Sequence, residues 1–236
     1  MSQPLLQIDG LSFSYPGRHV FTGFSARVGT GLTWLRGANG SGKSTLLALL
    51  AGALQPITGQ ITVQGLDQAR QPLDYRRAVY WCGPGPVVFD HLRPPEFFGF
   101  IAGLYPHFDE AALSRHVQAL GLAPQLGQRL SALSTGTQRK VALACALAVG
   151  TPVVLLDEPF NALDAASLAH LQAVLEGAAA GRRQAWLVAS HTDPAAGATG
   201  RMLLDLNLDA TAAGSPESAS PPGPPSPPSR SPTRAP

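Results

Sequence analysis

Short apolar runs bounded by turn residues alternate along this chain with longer stretches in which apolar positions recur every three or four residues. The short runs at 5–8, 20–28, 32–36, 61–63, 79–81, 153–156, 185–189 and 202–206 predict strands, and 43–51, 138–149 and 165–179 predict helices. That alternation predicts an α/β domain with a mainly parallel sheet core. The early strands, separated by turns at Tyr15-Pro16-Gly17 and Val28-Gly29, predict an antiparallel β subdomain. Between 94 and 133 there is no strand pattern, and helical spacing at 96–104 and 110–120 predicts an inserted helical subdomain over about 90–150. The expected organisation is one domain over 1–210 and a disordered Pro/Ser-rich tail over 211–236, where apolar residues are too few to offset the entropy of ordering. The tail's prolines suit either a passive extension or a polyproline ligand.

Composition narrows the picture. The chain has 236 residues, 44% of them hydrophobic, which suffices for one compact domain but not for two large ones. The formal charge is only +2 and the basic residues are dispersed, so no nucleic-acid partner is expected. Lysine is scarce: Lys43 and Lys140 are the only two, and any role that needs an ammonium group has two candidates. Cys82 and Cys145 are not spaced as a metal or redox pair, and a reducing compartment is expected. No stretch approaches the roughly 18 to 20 uncharged apolar residues of a membrane span, so any membrane role is expected to come through a partner.

Two motifs carry the chemistry. Gly37-Ala38-Asn39-Gly40-Ser41-Gly42-Lys43-Ser44-Thr45 fits the G-x-x-x-x-G-K-[ST] phosphate loop, placed after a predicted strand and before a predicted helix. The glycines let backbone N–H groups turn around phosphates, the helix start adds its positive end, and Lys43 neutralises the β and γ phosphates. Ser44 offers a hydroxyl to Mg²⁺. A chance match in a chain this long is on the order of 1% or less from average residue usage. Further on, the apolar run Val153-Val154-Leu155-Leu156 ends in Asp157-Glu158, two carboxylates at the carboxyl end of a buried strand, where ligands bind in open α/β sheets. Asp157 suits the metal shell, directly or through water, and Glu158 is free to orient or deprotonate an attacking water. His191 ends another strand on the same sheet edge and could contact a γ-phosphate, whereas the other five histidines have no such setting.

With these residues in order, the chain resembles the ABC ATPases. Leu133-Ser134-Thr135-Gly136-Thr137-Gln138-Arg139 is similar to their LSGGQ signature, Asn161-Ala162-Leu163-Asp164 to their D-loop, Ser190-His191 to their switch histidine, and Tyr15 to the aromatic that stacks on adenine. The resemblance covers roughly residues 4 to 207. It implies ATP and Mg²⁺ as ligands, with Glu158, His191 and Lys43 as catalytic groups. It also implies a head-to-tail homodimer or heterodimer of ATPase subunits, in which Ser134 and Gly136 of one subunit reach the γ-phosphate held by the other. Ser134 and Thr137 also suit plain capping of the following helix. The implied activity is ATP hydrolysis that powers a separate membrane permease from the cytoplasmic side, as a peripheral subunit on the inner face of the cell membrane. The short chain looks like the exporter-type subunits, among them the haem exporter ATPases of cytochrome c maturation. The aromatics Phe97, Phe98, Phe100 and Tyr105 fit either permease contact or packing of the helical subdomain.

The chain departs from the pattern at two places. Pro84 stands where the family carries its Q-loop glutamine, and it offers neither a side-chain oxygen nor an N–H. The signature has Thr135 and Thr137 where the family has glycine and glutamine. Slow hydrolysis with retained ATP binding is the expectation. Two other readings fit the same motifs: a soluble ABC ATPase outside transport, and an ATP-binding module with little turnover.

Overall fold

The computed structural model describes residues 4–85, 89–181, 183–195 and 201–206, so the tail expected over 211–236 lies outside the described residues. The chain opens with a hairpin of β1 (Leu6–Tyr15) and β2 (Arg18–Val28). β3 (Gly31–Arg36) enters a second sheet, α1 (Lys43–Leu50) follows it, and β4 (Thr58–Val63) and β5 (Leu66–Asp67) return to the first. Next come α2 (Pro72–Arg77), β6 (Val79–Cys82), α3 (Pro94–Leu104), α4 (Glu110–Ala119) and α5 (Thr135–Ala148). β7 (Val153–Asp157), α6 (Ala165–Ala180), β8 (Ala185–Ala189) and β9 (Met202–Asp205) complete the described elements.

The first sheet is antiparallel, in the order β2-β1-β4-β5, and the second is parallel, in the order β6-β7-β8-β3-β9. The mixed architecture expected from the sequence is therefore present. Every residue of β7 and of β8 is buried, as strands covered on both faces require, and this is why they read as unbroken apolar runs. Their side chains alternate between two cores. Leu155 and Leu187 join Leu6, Ile8, Leu46 and Leu49 under the antiparallel sheet, while Leu156 and Val188 join Phe97, Ile101, Val141 and Leu171 of the helices.

The strand order places the site. Ala189 of β8 is in register with Leu35 of β3 on one side and with Asp157 of β7 on the other. The loops that leave the carboxyl ends of β3, β7 and β8 must then emerge side by side.

Some boundaries differ from those the periodicity predicts. α5 begins at Thr135, three residues before the expected 138, because Ser134 caps it and Gly136 packs closely, although Thr-Gly-Thr is a poor helix-forming start. β1 runs on to Tyr15 through register shifts that break the alternation after Ile8. The short α2 and β5 left no periodic signal long enough to detect.

Candidate active site

β3 leads into the phosphate loop, and α1 starts at Lys43. Gly42 adopts φ 101°, in the left-handed region, and a Cβ there would meet Val20 Cγ1 at 2.8 Å and Phe21 Cζ at 2.9 Å. Only glycine satisfies both demands. No side chain caps α1, which leaves its first amides for an anion. Lys43 is buried and curls back, donating from Nζ to the carbonyls of Gly37 at 2.7 Å and Ala38 at 3.2 Å.

A cleft of about 240 Å³ opens over this loop, and Tyr15, Asn39, Gly40, Gly42, Lys43, Ser44, Thr45, Glu158 and His191 all line it. The structure thus gathers most of the residues the motifs single out. Tyr15 is held edge-on by Phe13, ring centroids 5.0 Å apart, and its hydroxyl is 3.4 Å from Thr45 Oγ1. Tyr15 is 42% exposed and lines the cleft, so a planar ligand can stack on it. Gly37, Ala38 and Ser41 form the loop without facing the cleft; Ser41 Oγ is buried with no hydrogen-bond partner.

Asp157 is fully buried at the end of β7, and its carboxylate oxygens make no well-formed hydrogen bond, the Ser44 hydroxyl being the neutral polar group that approaches them. Burial raises its pKa, while the Ser44 hydroxyl and the positive charges of Arg139 and Lys43 pull it down. An unpartnered buried carboxylate beside a hydroxyl is a donor set that suits a hard divalent cation completed by phosphate oxygens and water. Glu158, one residue on, adopts φ 46°, a strained conformation for a side-chain-bearing residue. Its N–H donates to the Ala189 carbonyl at 2.8 Å, which fixes the turn to β8. Glu158 Oε1 lies 3.1 Å from His191 Nε2, close but out of hydrogen-bond alignment. The Trp34 indole donates to the Ser190 carbonyl at 3.0 Å and so anchors the residue before His191.

Ser134, Gly136 and Asp164 lie elsewhere. Ser134 caps α5, its Oγ accepting from the Thr137 N–H at 3.2 Å and lying 2.9 Å from Thr137 Oγ1. Gly136 touches the D-loop backbone at Ala162. Asp164 caps α6 through the Ser167 N–H at 2.8 Å and pairs with Lys140, which holds its carboxyl well below the usual range. The second lysine thus ties the signature helix to the D-loop. Phe97 and Phe98 of α3 are buried in the core beneath the helices and Tyr105 meets Tyr80 edge-on, whereas Phe100 is 42% exposed.

Sequence reasoning missed Arg18 and Arg139. Arg18 lines the cleft and donates to the Gly40 carbonyl. Arg139, almost fully buried on α5, donates to the carbonyls of Gly83, Asp157 and Glu158. A cation facing the apolar side of a helix was the available signal, because arginine is seldom buried without partners. Both cysteines are buried; burial pushes Cys82 up to about 11 and Cys145 well above its ordinary value, so neither is a reactive thiol.

A capless glycine loop under a parallel sheet edge, with a strand-end carboxylate pair across from it, defines a P-loop nucleotide-binding domain. Residues 24–161 match the ABC transporter family, and the chain belongs to it. Over 175 residues it is 37% identical to the cytochrome c biogenesis ATP-binding export protein CcmA of Pseudomonas savastanoi pv. phaseolicola, covering 74% of this chain and 82% of that one. It is 42% identical over 147 residues to the sulfate/thiosulfate import ATP-binding protein CysA of Mycobacterium bovis, covering 61% of this chain and 42% of that one. A solved ATP-binding subunit of an ABC transporter superposes with a TM-score of 0.72 at 28% identity, covering 79% of each chain. The protein is thus an ATP-binding subunit of an ABC transporter and an ATPase. Among the described residues no helix is long and apolar enough to cross a membrane.

Proposed function

We propose that this subunit drives export through a separate permease, by ATP-dependent closure of a head-to-tail dimer on the inner face of the cell membrane. Similarity over most of its length to proteins named as export subunits of cytochrome c biogenesis favours export over import. In this reading adenine stacks on Tyr15, and the phosphates lie across Gly40, Ser44, Thr45 and the open amides of α1. Lys43 exchanges the Gly37 and Ala38 carbonyls for phosphate oxygens. Ser44 and Asp157 would hold Mg²⁺, which when bound neutralises charge on the phosphates.

Glu158 accepts the proton of the attacking water, and His191 steadies Glu158 and the γ-phosphate from the other side. Ser134 and Gly136 lie outside the cleft of their own chain, and a second subunit's copies are suited to close it, since the Ser134 cap takes the Thr137 N–H and leaves the earlier amides of that helix start to face an anion. The exposed Phe89, Phe100 and Leu104 form the surface for the permease; the Phe89 and Phe100 rings pack in a tilted pair with centroids 4.9 Å apart.

The observation that carries the proposal is the strained Glu158 beside His191 at the mouth of the phosphate-loop cleft. Replacing Glu158→Gln keeps the shape and removes the base. ATP should then trap a stable dimer with turnover abolished. Persistent monomers with unchanged turnover would refute the proposal.

A further inference from the structure

We infer that Arg139 is a positioning residue that couples the signature helix to the catalytic backbone. The residue is 7% exposed, and among the described residues its hydrogen bonds go to main-chain carbonyls: Nη1 donates to Gly83, and Nη2 donates to Asp157 and, at 2.8 Å, to Glu158. Gly83 directly precedes Pro84, which has no side-chain donor or acceptor. One side chain therefore joins the turn after β6 to both carboxylate-bearing residues at the end of β7.

The chain position of Arg139 gives this clamp its consequence. It lies three residues after Gly136, one turn into the helix that Ser134 caps. A helix transmits a displacement of its first turn to the next turn almost rigidly, because each turn is hydrogen-bonded to the one before. Movement of Ser134 and Gly136 on meeting a neighbour's nucleotide is thereby passed to the Glu158 carbonyl. That carbonyl belongs to a residue already held at φ 46°, so a small shift re-aims its side chain. Arginine suits the task, because its planar fork presents donors in two directions at once, toward Gly83 and toward the end of β7. Lysine has a single ammonium and cannot reproduce the fork.

The inference rests on the motor reading above, and the test separates the two. Full-length chain is purified as wild type, Arg139→Lys and Arg139→Gln, with thermal melts to verify folding. Misplacing a reacting group by about 1 Å costs on the order of 100-fold, so kcat should fall on the order of 10- to 100-fold in both variants, with KM for Mg·ATP moving less than about twofold. If the Gln variant, which loses the cation, does not fold, the Lys variant carries the test. A folded Lys variant with wild-type kcat overturns the inference. A wild type that binds ATP but does not hydrolyse it counts against the motor reading alone, and amide exchange then decides. ATP should slow exchange in 79–85 together with 134–139 in the wild type, and in 134–139 only in the variants; equal protection of both segments in the variants overturns the inference.

Discussion

Gly136, in the first turn of α5, stands against the main chain of Ala162, whose carbonyl oxygen would lie 2.6 Å from a Cβ at that position. Ala162 itself adopts φ 61°, so the D-loop is bent into this contact. The glycine of the signature is thus required within its own subunit, apart from any part it takes in a dimer.

Gly136→Ala must displace either the D-loop or the start of α5. Overpacking of this kind costs typically about 1–3 kcal/mol, read as a lower thermal midpoint. ATP affinity of the monomer should stay unchanged, because the cleft lies elsewhere, while ATP-driven dimerisation weakens. Thermal melts, nucleotide titration and sedimentation with ATP check the three parts.

His191→Ala removes the group beside Glu158 without touching the phosphate loop. Losing one donor at developing charge costs on the order of 100-fold in kcat. KM should be nearly constant. A large rise in KM with kcat preserved would move His191 from turnover to nucleotide binding.

Pro84→Gln restores the side chain that the family pattern has at this turn. A single neutral hydrogen bond is worth about 1 kcal/mol, so a rise in kcat of about fivefold is expected. Steady-state hydrolysis by the purified chain measures it. Unchanged turnover in a folded variant would mean that an amide at this turn does not reach the metal or the attacking water.

His116 Nδ1 lies 2.9 Å from His170 Nε2, joining α4 to α6. Burial, then the neighbouring charges of His170 and Arg115, hold His116 below its ordinary range, against a main-chain hydrogen bond at Leu147 and Asp109; burial lowers His170 as well. Both folded-state values fall below the unfolded value of about 6.5, so the unfolded chain binds more protons as pH drops. Stability from this pair is full above about pH 6.5 and is lost as pH falls toward the folded-state values. Thermal midpoints should decline between about pH 7.5 and 5, and His170→Asn should flatten that slope by removing one titrating ring and relieving the other. An unaltered slope would assign the effect to other groups.

Much of the cleft was legible in the chain itself. The phosphate loop is contiguous, and its chemistry follows from backbone freedom at Gly42 and from the helix that begins one residue later. The unbroken apolar run before Asp157 announced a strand buried on both faces. Strand ends point to Glu158 and His191 and the family resemblance points to Tyr15, yet only the fold puts them around one cavity. Arg139 and the pair of His116 with His170 gave little sign, because their partners lie 56, 18 and 19 residues away in the first case and 54 in the second.

The sequence by itself determined the features that neighbouring residues decide: the amphipathic and buried periods of the elements, the glycine loop that can wrap a phosphate, and the carboxylates that end β7. Tertiary structure decided which loops meet. The order β6-β7-β8-β3-β9 sets β8 between β7 and β3, so Glu158, His191 and Lys43, distant along the chain, share a cleft. It also decided that Gly136 serves the D-loop and that the fork of Arg139 closes on three carbonyls. The physical reason is range: backbone preference and hydrophobic period act over a few residues, whereas buried polar contacts are set by strand order and close packing, which no local window contains.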